Sequence, residues 1–186
     1  SPTSIETVSA TIAQACATAG IDALMIDVAD AALQKGVATI GTSLERLVKQ
    51  DKLTTDARSQ ALARVRPGTD YALLKDVDLV IEAATERLEL MLDIPRKIDA
   101  IARLDVIVAS NTSSISITQL AAVTQRADRF LGMQFFNPVP MMALVELIRG
   151  LATADDTVEG GRASARAFVR TPTGVATRAG AVVKRN

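Results

Sequence analysis

The chain contains no histidine and a single cysteine, Cys16. Imidazole is the side chain that ordinarily titrates near neutral pH. Without it, proton transfer falls to carboxylates, lysines or Tyr71. Ser-His-Asp and Cys-His nucleophile systems are excluded. So are His-based and thiolate zinc sites and iron–sulfur clusters, and no metal is expected. Several polar groups stand in or beside apolar runs. Asp27 closes Ala23-Leu24-Met25-Ile26, and Gln134 lies inside Phe130-Leu131-Gly132-Met133-Gln134-Phe135-Phe136. Asn137 opens the turn Asn137-Pro138-Val139-Pro140, and Glu146 interrupts Leu144-Val145-Glu146-Leu147-Ile148. A polar turn, Asn111-Thr112-Ser113-Ser114, follows another apolar run. Each also has a plain structural reading. Asp27 can be a strand-end cap, Gln134 a satisfied buried amide, Ser113 and Asn137 cap and turn residues, and Glu146 a surface carboxylate.

Alternating strands and helices must position these groups. The 186 residues carry 21 basic and 21 acidic side chains, so the net charge is zero. That length suits one globular domain, and the balance gives no sign of a nucleic-acid partner. No apolar run approaches the roughly 20 residues of a bilayer span. The start, Ser1-Pro2-Thr3, lacks the features of a secretory signal, and one cysteine fits a reducing compartment, so a cytoplasmic location is expected. A helix is predicted over 12–19, with Gly20 as its cap, then a strand over 23–27. Apolar spacings of three and four mark a long helix over about 29–50. A second helix over 55–65 completes a hairpin, broken by Pro67-Gly68. Strands are predicted over 77–83, 106–110 and 130–136, with the pattern continuing at 144–148. A helix over about 87–102 is expected to be interrupted by Pro95, and one over 117–123 to be capped by the Asn111-to-Ser114 turn. After Gly150 the periodicity weakens. The fold class expected is α/β, with a doubly wound, mostly parallel sheet.

Four segments, taken in order and spacing, resemble the N-terminal domain of NAD-dependent 3-hydroxyacyl-CoA dehydrogenases, including the 3-hydroxybutyryl-CoA type. They are Asp78-Leu79-Val80-Ile81-Glu82-Ala83, Ser110-Asn111-Thr112-Ser113-Ser114, Phe135-Phe136-Asn137-Pro138-Val139-Pro140 and Leu144-Val145-Glu146-Leu147-Ile148. The resemblance implies a Rossmann-type NAD-binding domain over residues 1–186. It implies an inserted helical hairpin over about 29–66 that meets coenzyme A, and a junction region over about 172–186. A C-terminal helical domain that carries the family's dimer contact would be absent, so a homodimer is expected only where that domain is present. The implied activity is hydride transfer between NAD and the 3-hydroxyl carbon of an acyl-CoA, in fatty-acid or hydroxybutyrate metabolism.

The family's catalytic His–Glu pair falls on Gln134 and Glu146, and a glutamine amide cannot take a proton near pH 7. Ser113 and Asn137 match positions that hydrogen-bond substrate oxygens and the nicotinamide side of the pocket. Asp27 matches the acid that binds ribose hydroxyls and favours NAD over NADP, and Glu86 matches another cofactor contact. A family lysine falls on Met91 and a family asparagine on Lys184. Ser43 and Lys49 are the candidates for coenzyme A, and both read equally well as helix-face residues. The family's first strand ends in a glycine-rich phosphate loop, yet no glycine precedes Gly20. Either the strand and loop are truly deleted, or a segment of the protein is skipped in this sequence. With base and phosphate loop both missing, little dehydrogenase activity is expected of the chain as it stands. The alternative is a catalytically degenerate module that binds an acyl-CoA or a protein.

Overall fold

A computed structural model describes residues 5–83, 87–112, 116–136, 144–169 and 180–185. They group into two compact units, one formed mainly by residues up to Asp70 and one formed mainly by residues from Tyr71 onward.

The first unit begins with α1 (Ile5–Thr18), β1 (Ala23–Ile26) and α2 (Asp30–Lys49) and continues through α3 (Thr55–Arg64) to β2 (Val65–Gly68). α1 starts well before the predicted residue 12. Its buried face is built from Ala10, Ala13 and Ala17, which meet Ile40, Leu44 and Leu47 of α2. α2 and α3 form the expected hairpin. Asp51 turns the chain between them at φ 56°, and Lys52 N–H donates to Leu47 O at 2.9 Å. Thr54 Oγ1 then caps α3 by accepting from Ala57 N–H at 3.1 Å. Pro67-Gly68, read from sequence as a break, instead ends β2, which pairs in parallel with β1 from Ala23↔Val65 to Ile26↔Gly68. Proline is tolerated there because β2 has one neighbour and needs no donor on its free side.

The second unit holds a five-stranded sheet in the order β3-β4-β5-β6-β7. Its strands are β3 (Leu79–Glu82), β4 (Ile107–Ser110), β5 (Phe130–Phe136), β6 (Leu144–Arg149) and β7 (Gly180–Arg185), with α4 (Leu88–Ile101), α5 (Ile117–Ala122) and α6 (Asp155–Val169) between them. Every pairing is parallel except β5 with β6, so the sheet is mostly parallel, as expected. β1 and β3 each pair on one edge only.

Three expectations need correction. α4 runs unbroken through Pro95. The proline is buried, and its packing offsets the one backbone bond it removes. The weakly periodic stretch after Gly150 holds α6 and, within the expected junction region, β7, which carries Lys184 opposite Ile148. Small residues hid α6 from the sequence reading, because it lies close against the sheet. A methyl group on Gly160 would come within 2.6 Å of Ile107, and one on Gly161 within 2.8 Å of Leu131. Finally, the residue that begins α5 is Ser116, without a side-chain cap. The Asn111 side chain instead accepts from Phe135 N–H at 3.3 Å.

Two devices tie this unit together. The Arg126 side chain, 1% exposed, pairs with Asp99 Oδ1 at 2.7 Å. It also donates to the carbonyls of Asp99 and Ala102 near the end of α4, and to those of Arg103 and Val106 beyond it. Gly132 in β5 is pressed from two sides: an added Cβ would lie 2.8 Å from Ile148 Cβ and 2.9 Å from Ile117. Gly132→Ala should therefore cost about 1–3 kcal/mol through overpacking. Urea unfolding would show it as a lower midpoint at unchanged slope, and an unchanged midpoint would refute the close packing.

Candidate functional site

Register places one set of polar groups on one face of the second sheet. Glu82 pairs with Ser110, and Ser110 with Gly132. Gln134 lies two residues beyond Gly132 and pairs directly with Glu146. Paired residues point to one face, and so do residues two apart. Glu82, Ser110, Gln134 and Glu146 therefore share a face. Glu82 and Ser110 are the last residues of β3 and β4, and Gln134 lies further along the same direction. Ligands of open α/β sheets lie outside the carboxyl ends of the strands.

Gln134 and Glu146 were separated by twelve residues in the sequence and now stand opposite each other, about 5 Å apart by strand geometry. The Gln134 amide donates from Nε2 to Thr112 O at 3.0 Å. That bond fixes the side chain against the chain leaving β4. A residue at this position is thus held beside a carboxylate, at the carboxyl end of the strands. The amide offers hydrogen bonds there but no basic nitrogen.

Glu82 is 5% exposed and Ser110 fully buried. Neither Glu82 Oε2 nor Ser110 Oγ has a hydrogen-bond partner. Burial pushes the Glu82 carboxyl up to about 7. The folded protein therefore holds this proton over a range where the unfolded chain, ionising near 4.5, has lost it. Stability should fall by about 3 kcal/mol as pH rises between those two values and level off above them. Glu82→Gln should abolish that fall. Urea unfolding of both proteins at about pH 5 and about pH 8 measures it, and the same pH dependence in both would refute the assignment. The sequence reading did not single out these two residues. Their signal was an acid and a serine that close otherwise apolar strands.

In the first unit, Asp27 follows β1 and is not buried. Its Oδ1 accepts from Ala29 N–H at 2.8 Å, forming the turn into α2. One carboxylate oxygen thus organises the turn. Ser43 lines an open groove of about 440 Å³ between α1 and α2, which also presents Lys35, Thr39 and Arg46. Lys49 is not among the lining residues and forms an exposed ion pair with Glu45 at 3.3 Å. The structure thus brings Gln134 and Glu146 together in one unit and holds Asp27, Ser43 and Lys49 in the other. Glu86, Ser113 and Asn137 lie outside the described residues, and Lys184 is placed by backbone only. Met91 is buried in α4, where it fills core space. Cys16 is buried, and its thiol is pushed up to about 12 by burial, so it is not a nucleophile. Among the described residues no cluster of His, Cys, Asp or Glu could hold a metal ion. Nor is any helix among them long and apolar enough to cross a membrane.

Residues 7–178 match the family model described as the NAD-binding domain of 3-hydroxyacyl-CoA dehydrogenase. A 3-hydroxybutyryl-CoA dehydrogenase of Bradyrhizobium diazoefficiens is 46% identical over 151 residues, covering 81% of this chain and 52% of that protein. The crystal structure of an (S)-3-hydroxybutyryl-CoA dehydrogenase from Ralstonia eutropha superposes with a TM-score of 0.88 at 52% identity, over 97% of this chain and 60% of that one. The fatty acid oxidation complex subunit alpha of Acinetobacter baylyi is 40% identical over 161 residues, which are 22% of its length. The chain spans about half the length of the first of these relatives.

Proposed function

The chain belongs to the family of 3-hydroxyacyl-CoA dehydrogenase NAD-binding domains, and from that premise we propose that it serves hydride transfer between NAD and the 3-hydroxyl carbon of an acyl-CoA, in fatty-acid or hydroxybutyrate metabolism. The observation that carries this reading is the Gln134↔Glu146 pairing. It supports a site in which one side chain meets the substrate hydroxyl and a carboxylate orients it. NAD, when bound, supplies the ring carbon that takes the hydride.

The residues present fit NAD at two places. Asp27 can accept ribose hydroxyls with the oxygen that its turn leaves free, and its charge disfavours a 2′-phosphate. In the second unit, buried polar atoms without partners stand at the carboxyl ends of β3 and β4. Glu86, Ser113 and Asn137 complete the proposed cofactor and substrate contacts. Ser43 would meet coenzyme A from the α1–α2 groove. Lys49 can leave its exposed pair with Glu45 at little cost to do the same. The soluble, cytoplasmic setting and the dimer carried by a helical domain belong to the same reading.

Gln134 also favours a second reading, a module that binds its ligand without turning it over. Losing a general base costs about 10²–10⁴ in rate. Calorimetric titration with NADH, followed by an acetoacetyl-CoA reduction assay, separates the two. Micromolar NADH binding with slow turnover is expected. Absence of NADH binding would reject the dehydrogenase reading and leave the module.

A further inference from the structure

Glu82 and Ser110 are the two groups on the candidate face that the proposed reaction does not use. Both are buried, they are register partners, and each has an atom without a hydrogen bond. Leaving a buried polar atom unpaired is costly, so such a pair at the end of a strand calls for an occupant. The local backbone does not supply one. Asn111 N–H is already committed to the Glu82 carbonyl at 2.9 Å, and Asn111 Oδ1 accepts from Phe135 N–H. Glu82 is the last residue of β3, at the carboxyl end of the strand.

We propose that Glu82, supported by Ser110, is a further cofactor-binding residue, whose unpaired Oε2 accepts a hydrogen bond from a hydroxyl or carboxamide donor of the bound dinucleotide. This rests on the NAD reading above and adds a contact that the resemblance did not assign. A carboxylate accepts such a bond more strongly than a neutral acid does. Burial keeps the Glu82 carboxyl largely protonated below about pH 7. Binding must therefore expel a proton at the acid end of the range and none at the alkaline end. Other charges do not obscure this. By register the other ionisable residues on that face of the described sheet are Glu146 on β6 and Lys184 on β7, three and four strands away. α5, which meets the face at Gly132 through Ile117, carries no ionisable residue. α4 buries Met91, Pro95 and Ile98. It pairs Asp93 with Lys97 at the surface and Asp99 with Arg126.

The test is calorimetric titration with NADH in two buffers of different ionisation enthalpy, at about pH 6.5 and about pH 8. The chain should release about half to one proton per NADH at the lower pH and close to none at the higher. Glu82→Gln should bind about 10-fold or more weakly and show no buffer-dependent heat. A purely structural role for Glu82 would not move proton release. The measurement on the unaltered chain stands even where the variant folds poorly. NADH binding with buffer-independent heat at both pH values overturns the proposal and leaves the dehydrogenase reading intact. Failure of the unaltered chain to bind NADH at all overturns both.

Discussion

Exchanging Gln134 for histidine should raise the rate of NADH-dependent acetoacetyl-CoA reduction by about 10²–10⁴-fold, the range that a positioned general base contributes. The reason lies in the ladder between β5 and β6. Gln134 is paired with Glu146, so an imidazole there would have a carboxylate within reach of one nitrogen. Its other nitrogen would be left to exchange a proton with the substrate. The carboxylate fixes the tautomer and stabilises the charged ring. The glutamine amide offers the same size without the basic nitrogen, and its Nε2 is already committed to Thr112 O. Adding Glu146→Gln to the histidine variant should return much of the gain, because the ring then loses its orienting partner. Steady-state kinetics at saturating NADH decides it. A histidine variant no faster than the parent would mean that position 134 does not face the reacting oxygen.

Removing the Arg126 side chain should cost about 3–5 kcal/mol, the largest stability effect expected in this chain. The guanidinium is buried against Asp99 and satisfies carbonyls at and just beyond the end of α4. These are the acceptors that a helix end leaves without intrahelical partners. Arg126→Ala strands them together with the Asp99 carboxylate, which is 11% exposed. Arg126→Lys should lose much of the same stability, since one ammonium cannot span a fork of five donors. A double variant that also carries Asp99→Asn should fall well short of the sum of the two single losses, because the charges no longer lack each other. Urea unfolding of the four proteins measures this, and additivity would refute a coupled buried pair.

The sequence by itself determined the class of fold and the kind of chemistry. Absence of histidine removed whole groups of mechanisms, and the alternation of apolar strands with helical periods required a mostly parallel α/β sheet. The hairpin over about 29–66 was legible because Leu33, Ile40, Leu44 and Leu47 repeat at helical spacing, and all four are buried. The four ordered segments pointed to the family.

Other features depended on contacts distant along the chain. β2 was misread because Pro67 and Gly68 signal a turn locally, while an edge position beside β1 accepts them. α6 was missed because close approach to the sheet selects Gly160 and Gly161, whose lack of side chains erases the apolar period. Pro95 was expected to break α4, and burial holds the helix through it. That Gln134 faces Glu146 follows from the antiparallel register of β5 and β6, which neither strand encodes alone. The unsatisfied pair Glu82 and Ser110 is likewise a property of two strands brought side by side. Local propensity is written in neighbouring residues, whereas register, burial and an unpaired oxygen exist only once distant segments share one interior.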